Sequence, residues 1–139
     1  MENRALEKKD WMVKGKVLVV DDSPTIVEMV KLILENAGHE VIIASDGIEA
    51  LNMARSESPD LIILDVMLPK MQGYQVCRLL KFDENYRDIP IIMYTAKGQN
   101  ESKDTGMKTG ADEYLVKPVD PDVLVETVEK WLGEAKNKT

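Results

Sequence analysis

The sequence predicts an α/β fold in a single domain, with a doubly wound parallel sheet of five strands and five helices. Two observations support this fold class: short apolar runs rich in valine and isoleucine, and amphipathic segments between them. Most of the runs lack polar alternation, which is typical of parallel strands that are covered on both faces. The predicted strands are 16–20, 40–44, 61–65, 89–95 and 113–117.

The predicted helices lie between and after these strands. In the first helix, Ser23 is a candidate N-cap, Pro24 stands at the first helical position and Gly38 follows the last turn. The remaining helices are predicted at 47–58, 73–83, 101–110 and 120–134. Alternating strands and helices imply right-handed crossovers in one sheet. We expect a domain at 15–134, an N-terminal extension at 1–14 and a C-terminal tail at 135–139.

Composition and charge limit the function. The 139 residues carry a formal net charge of −7, so the average field of the protein would repel a nucleic-acid backbone. The single cysteine, Cys77, cannot form an intramolecular disulfide, and no paired cysteine or histidine spacing indicates a zinc site. The sequence has no leader-like apolar region and no apolar run long enough to span a bilayer. We therefore expect a cytoplasmic protein without direct nucleic-acid or membrane contacts.

Polar side chains stand at the carboxyl ends of four predicted strands. Asp21 and Asp22 follow the first strand, Asp65 closes the third, Thr95 closes the fourth and Lys117 closes the fifth. Each residue alone has an ordinary explanation as a helix cap, a turn residue or a solvated strand end. In an open parallel sheet, however, ligands bind outside the carboxyl ends of the strands. Capping alone does not explain why four strands deliver such residues to the same edge.

Three carboxylates in one cluster predict a divalent cation. Like charges held close together require compensation, and hard oxygen ligands suit Mg²⁺. A bound metal, the Lys117 ammonium and the Thr95 hydroxyl would together favour a phosphoryl group. The sequence has neither a GxxxxGK[ST] loop nor a GxGxxG motif, so a nucleotide site is not indicated. A carboxylate can itself accept a phosphoryl group, and Asp65 is the candidate nucleophile.

The ordered motifs resemble those of the receiver domain of two-component response regulators. These motifs are the acidic pair of "LVVDDSP", the acceptor segment "LIILDVMLPKMQGYQV", the switch strand "PIIMYTA" and the lysine-proline segment "GADEYLVKPVD". The resemblance extends from about Lys16 to Leu132. It implies a flavodoxin-like sheet with the strand order 2-1-3-4-5, in a single-domain regulator of the chemotaxis or sporulation type or in an excised receiver.

The resemblance also implies a metal site. Asp65 would be the phosphoacceptor, and Asp22 and Asp65 would bind Mg²⁺ directly. Asp21 would act largely through a coordinated water molecule. The main-chain carbonyl of Met67 would complete the protein ligands of the metal.

Other roles are implied at the ends of the last two strands. Thr95 would donate its hydroxyl to the phosphoryl group, and Lys117 would bind another of its oxygens. Ala96 would leave space for that group, and the peptide between Lys117 and Pro118 would be cis. Tyr114 corresponds to an aromatic switch position that responds to the shift of Thr95, although an ordinary half-buried strand aromatic is the alternative for this residue.

The implied function is phosphorelay signalling. A sensor histidine kinase or a histidine phosphotransfer protein would supply the phosphoryl group, and the domain would catalyse its own phosphorylation and dephosphorylation without being a classical enzyme. A downstream protein would bind the face formed by the predicted fourth helix, fifth strand and fifth helix. We expect a monomer or a phosphorylation-dependent dimer.

Two other functions stay open. A phosphatase of the haloacid-dehalogenase type also uses aspartate and Mg²⁺, but its nucleophile usually opens a DxDx[TV] motif after the first strand, where this chain has "DDSP". A receiver-like scaffold or flavodoxin-like binding module without phosphorylation would usually lack an acidic or lysine position, and none is lost here. Outside the site, we expect His39 to be solvated and Cys77 to be a packing residue.

Overall fold

The protein forms a five-stranded parallel sheet in the order β2-β1-β3-β4-β5. A computed structural model describes residues 14–96 and 110–137. Every neighbouring pair of strands is parallel, which confirms the predicted fold class and strand order. The strands are β1 (Lys16–Val20), β2 (Glu40–Ala44), β3 (Leu61–Leu64), β4 (Ile91–Ala96) and β5 (Glu113–Lys117).

Four helices connect or follow these strands within the described part of the chain. They are α1 (Pro24–Asn36), α2 (Gly47–Glu57), α3 (Gly73–Lys81) and α4 (Pro121–Asn137). The predicted helix at 101–110 lies outside the described residues except for Gly110, which is in a turn. The final helix extends beyond the predicted end at residue 134. None of the helices in residues 14–96 and 110–137 is long and apolar enough to cross a membrane.

The sheet separates two apolar layers. Successive residues of β1 point to opposite faces, so Leu18 packs in one layer with α2 and α3, while Val19 packs in the other with α1 and α4. All four residues of β3 are buried. Cys77 is fully buried in the first layer, which confirms its packing role. Coverage of both faces explains why the strands read as continuous apolar runs.

The ends of α1 match the sequence signals. The Ser23 Oγ accepts a hydrogen bond of 3.4 Å from the Ile26 N–H, and Pro24 is the first helical residue. After the helix, Gly38 has φ of 96°, a backbone conformation that favours glycine. The cap and the proline place the start of α1 one residue after the acidic pair, and Gly38 follows its end.

The expectation that His39 is solvated is wrong. Its side chain is fully buried, with Nε2 lying 3.0 Å from Glu129 Oε2 of α4. The Gly15 N–H donates a hydrogen bond of 3.3 Å to Nδ1. His39 lies in the turn between α1 and β2, and its partner Glu129 comes from α4, ninety positions further along the sequence. The sequence around His39 therefore contains no sign that the side chain would be buried.

Candidate functional site

Three carboxylates meet at the carboxyl edge of the sheet. Asp21 and Asp22 follow β1, Asp65 follows β3, and one oxygen from each residue lies within 4.8 Å of the others. Asp21 and Asp65 are buried, whereas Asp22 is exposed to solvent. The sequence prediction that these residues form one cluster is therefore confirmed by the geometry.

Local hydrogen bonds hold two of these carboxylates. Asp21 Oδ1 accepts the Ser23 N–H at 2.9 Å, and Asp65 Oδ1 accepts the Met67 N–H at 3.4 Å. The backbone N–H of Asp65 donates to the Val20 carbonyl at 3.0 Å, which ties β3 to the end of β1. Each carboxylate therefore has a turn-stabilising role and still directs an oxygen to the cluster.

Lys117 joins the two buried carboxylates. Its Nζ lies 2.5 Å from Asp21 Oδ2 and 3.3 Å from Asp65 Oδ2. Burial alone would lower the pKa of Lys117, but the hydrogen bond to Asp21 and the charges of Asp65 and Asp21 raise this pKa above its usual value. Lys117 therefore stays charged. The peptide bond between Lys117 and Pro118 is cis.

Asp65 lies in an environment that resists its charge. Burial raises the pKa of Asp65 above its ordinary value, the ammonium of Lys117 opposes this shift, and the charge of Asp21 adds to it. The Thr95 hydroxyl is buried and has no hydrogen-bond partner of normal geometry among the described residues, although it lies near enough to Asp65 to favour the ionised carboxylate. A buried hydroxyl beside a carboxylate is an available donor for a group attached there.

Residues 65–72, which begin with Asp65 and connect β3 to α3, form the acceptor loop. Its end is fixed by Gly73, whose N–H donates to the Val66 carbonyl at 2.9 Å. A Cβ on Gly73 would collide with the main-chain carbonyl of Asp65. Leu68 is buried in the apolar layer, while the Met67 side chain is exposed. The loop is thus held close to the strand that carries Asp65.

Comparison with known proteins identifies the family. The model of the response regulator receiver domain matches residues 17–129, which is most of the chain. The chain belongs to the response regulator receiver domain family. The carboxylate cluster lies where the strand ends of this receiver domain converge. The sheet topology and the family model both identify the chain as a receiver domain.

Individual relatives of this receiver domain differ in length. The chain is 44% identical over 84% of its length to RpaA, a DNA-binding dual master transcriptional regulator of Synechocystis, and it covers 48% of that protein. It is 49% identical over 76% of its length to PhoP, an alkaline phosphatase synthesis transcriptional regulatory protein of Bacillus subtilis, and it covers 43% of that protein. The chain spans about half the length of the curated relatives it matches.

A solved structure gives the same picture of the fold. The chemotaxis response regulator CheY4 of Vibrio cholerae superimposes with a TM-score of 0.79 and is 39% identical in sequence. The match covers 86% of this chain and 99% of that one. This receiver domain is therefore similar in fold to nearly the whole of a chemotaxis regulator, and similar in sequence to about half of each of two transcriptional regulators.

The carboxylate cluster of the receiver domain fits Mg²⁺. Carboxylate oxygens are the hard ligands that this ion prefers, and the exposed position of Asp22 leaves room for coordinated water. Asp21, Asp22 and Asp65 would hold the ion, with the Met67 carbonyl as the further ligand that the family resemblance implies. Lys117 already compensates part of the negative charge, so the buried carboxylates are stable in its presence.

Tyr114 lies on β5 near the site. It is half-buried and packs against the apolar layer that contains α2 and α3. Burial raises the pKa of its hydroxyl, and the neighbouring Tyr74 and Asp65 add to that shift. The structure therefore places Tyr114 within electrostatic reach of Asp65, and its switch role stays a prediction.

The sequence did not reveal that residues at the turn between β2 and α2 contact the acceptor loop. Gly47 lies against the loop, and Asp46 forms an ion pair with Lys70 in it. The available signal was the sequence "SDGIE", in which Asp46 precedes a helix start and Glu49 stands three residues later. That pattern predicts a helix cap, but it does not reveal contact with a loop twenty residues further along the chain.

Proposed function

We propose that this receiver domain accepts a phosphoryl group on Asp65 and changes its affinity for a partner protein in response. The observation that carries the proposal is the buried hydroxyl of Thr95 beside Asp65, which has no hydrogen-bond partner of normal geometry among the described residues. Lys117 is also close, with its Nζ 3.3 Å from Asp65 Oδ2. A phosphoryl group on Asp65 would give both side chains an acceptor oxygen.

The transfer uses the ionised carboxylate of Asp65 as the nucleophile. One of its oxygens attacks the phosphorus of a phosphohistidine, the P–N bond breaks, and the imidazole leaves with the electron pair. Lys117 and Thr95 bind the phosphoryl oxygens and stabilise their negative charge. When bound, Mg²⁺ would supply the remaining positive charge near those oxygens. Attack of water on the same phosphorus later releases phosphate and restores the carboxylate, so the domain would catalyse both reactions on itself.

The switch requires free energy from new contacts. Moving a two-state equilibrium from 1:99 to 99:1 takes about 5.5 kcal/mol. A hydrogen bond to a charged group contributes about 1.5–3 kcal/mol. Thr95 would form such a bond anew, and Lys117 would redirect one that it already makes to Asp21 or Asp65, so together they would supply part of this free energy. Movement of Thr95 toward the phosphoryl group would leave space for Tyr114, which lies on the neighbouring strand.

The partners follow from this chemistry. The phosphoryl group would come from a sensor histidine kinase or a histidine phosphotransfer protein, in the cytoplasm. The output surface would include β5, α4 and the predicted helix at 101–110, which lies outside the described residues. Val116 on β5 is exposed and belongs to this surface. The domain would act as a monomer or as a phosphorylation-dependent dimer.

Regulation of transcription by a longer protein is a second candidate output, because RpaA and PhoP are named as transcriptional regulators. The comparisons do not confirm the prediction that nucleic acid is not a partner. We propose that this chain itself makes no direct DNA contact, since its net charge is −7. A gel-shift assay at physiological salt, with phosphorylated and unphosphorylated chain, should show no complex, and a retained complex would contradict this part of the proposal.

The decisive experiment is phosphorylation by a small donor. Incubation with acetyl phosphate and Mg²⁺ should add the mass of one phosphoryl group to the intact protein. The adduct should be absent in Asp65→Asn and with EDTA, and present in the control Asp88→Asn, which changes an exposed carboxylate.

The alternative classes predict other results. A binding module without phosphorylation would give no adduct on the wild-type protein. An adduct that persists in Asp65→Asn would assign the acceptor to another residue. A phosphatase would instead show sustained turnover of a phosphate ester that Asp65→Asn abolishes.

A further inference from the structure

The turn between β2 and α2 contacts the middle of the acceptor loop. The Gly47 N–H donates a hydrogen bond of 3.2 Å to the Pro69 carbonyl. A Cβ at Gly47 would also collide with the Met71 carbonyl oxygen. The obstacle is backbone, which cannot rotate away as a flexible side chain can. This close approach therefore requires glycine at position 47.

An ion pair joins the same two segments. Lys70 Nζ lies 3.5 Å from Asp46 Oδ2, and the Lys70 backbone has φ of 68°, in the left-handed region. Asp46 is itself fixed, because its Oδ1 accepts the Glu49 N–H at 2.8 Å and caps α2. The turn is thus anchored to a helix on one side and to the acceptor loop on the other.

The middle of the acceptor loop is exposed apart from Met71, which is half-buried against the apolar layer. Pro69 and Lys70 are exposed, whereas Leu68 and Gly73 on either side of them are buried. The Gly47 contact therefore meets the loop between its two buried points. The Met67 carbonyl stands two residues before Pro69, beyond the buried Leu68, so a displacement of Pro69 would reach it by shifting Leu68.

We propose that Gly47 is a positioning residue for metal binding, which holds the acceptor loop so that the Met67 carbonyl and Asp65 keep a fixed separation. The inference rests on the proposed function, in which those two groups hold Mg²⁺. Gly47 has no side chain to offer the metal and acts only through the backbone of Pro69 and Met71.

The test compares the Mg²⁺ affinity of two glycine variants. Thermal unfolding of Gly47→Ala, of the control Gly38→Ala and of the wild type is followed from EDTA through a Mg²⁺ series, which gives an apparent Kd by mass action. Gly38 has φ of 96°, so alanine there is strained, and it lies just before the amino end of β2, whereas the acceptor loop begins at the carboxyl end of β3. Both variants should unfold at lower temperature in EDTA. Only Gly47→Ala should raise the apparent Kd, by about tenfold or more.

A second variant covers the case in which Gly47→Ala does not fold. Glycine adopts the φ of Lys70 without strain, so Lys70→Gly should remain folded while it loses the ion pair to Asp46 and gains backbone freedom. We expect the apparent Kd for Mg²⁺ to rise about threefold. Removal of a positive charge alone would tighten Mg²⁺ binding, so weaker binding reports the position of the loop.

The outcomes are distinguishable. An unchanged or lower apparent Kd in Gly47→Ala and Lys70→Gly, with a clear Mg²⁺ response in the wild type, overturns the positioning role. An equal increase in Gly38→Ala would assign the effect to general instability and overturns it as well. A wild type whose unfolding temperature ignores Mg²⁺ overturns the proposed metal site itself.

Discussion

Lys117 donates its shortest hydrogen bond to Asp21, with its Nζ 2.5 Å from Oδ2. Asp21 is only 4% exposed, so loss of the ammonium leaves a buried carboxylate without its cation. The same ammonium competes electrostatically with any metal in the cluster. We therefore expect Lys117 to stabilise the metal-free fold and to lower the affinity of the cluster for Mg²⁺.

Replacing this lysine should separate the two effects. Lys117→Met is expected to lower the free energy of unfolding in EDTA by about 1–3 kcal/mol, because a charged acceptor loses its partner. The stabilisation gained on adding Mg²⁺ should be larger than in the wild type, since a competing cation is gone. Urea unfolding with and without Mg²⁺ measures both quantities.

The matched control is Lys81→Met. Lys81 Nζ lies 2.7 Å from Asp112 Oδ2, and its side chain is similarly buried, but the pair joins α3 to the start of β5. This variant should also lose stability in EDTA and should keep the wild-type gain from Mg²⁺. A smaller Mg²⁺ gain in Lys117→Met than in the wild type would contradict the competition between the two cations.

The buried hydroxyl of Thr95 should lower the stability of the unphosphorylated protein. Within residues 14–96 and 110–137 the buried Thr95 hydroxyl has no hydrogen-bond partner of normal geometry to offset its desolvation, so Thr95→Val is expected to leave the free energy of unfolding unchanged or raise it by about 1 kcal/mol. The response to phosphorylation should be weakened, because valine cannot donate a hydrogen bond. Urea unfolding measures the first effect, and partner affinity with and without acetyl phosphate measures the second.

Thr127→Val provides the contrast. Its Oγ1 donates a hydrogen bond of 2.7 Å to the Val123 carbonyl in α4, so this variant should not gain stability. A larger loss of stability in Thr95→Val than in Thr127→Val would mean that the Thr95 hydroxyl has a hydrogen-bond partner in the resting protein, which would contradict the prediction.

Gly73 is predicted to be intolerant of any side chain. An added methyl group would meet the Asp65 carbonyl, and relief requires moving the acceptor loop or α3. Gly73→Ala should lower the free energy of unfolding by about 1–3 kcal/mol, as for other overpacked sites. The neighbouring Gln72 is exposed and makes no side-chain cap hydrogen bond, so Gln72→Ala should change stability by about 0.5 kcal/mol or less. Equal effects in urea unfolding would contradict the steric argument.

His39 should make stability depend on pH. Burial lowers the pKa of His39 below its usual value, although the hydrogen bond and charge of Glu129 oppose this shift and Lys14 adds to it. The unfolded chain therefore binds a proton more readily than the folded protein, and stability falls as pH drops below about 6.5. Above that pH the histidine is neutral in both states and contributes no slope.

The measurement is a series of urea unfolding curves between neutral and mildly acidic pH. Carboxylates titrate in the lower part of this range, so the informative quantity is the difference between wild type and His39→Gln. That variant should lose stability less steeply as the pH falls. If the free energy of unfolding depended on pH in the same way in both proteins, the folded and unfolded states would bind the His39 proton equally well.

The sheet was predictable because both faces of each central strand are covered. Successive residues such as Ile62 and Ile63 are therefore both buried, and the strand appears in the sequence as a continuous apolar run. The clustering of Asp21, Asp65 and Lys117 was predictable for a related reason, since parallel strands deliver their carboxyl ends to one edge. Those two inferences require only local pattern and topology.

Contacts between distant segments were not predictable in the same way. His39 is buried because Glu129 of α4 reaches it, and nothing near His39 in the sequence signals that contact. Gly47 looks like an ordinary helix start, yet the Met71 carbonyl fills the space its side chain would need. Such requirements arise from the packing of one loop on another, which has no periodic signature along the chain.

The position of β3 between β1 and β4 has a consequence for amide hydrogen exchange. All four of its residues are buried, so its amides should exchange only when the whole domain unfolds. Asp65 is therefore attached to the part of the protein that opens least often. Exchange induced by phosphorylation should instead appear toward the β5 edge, which has a neighbouring strand on one side only.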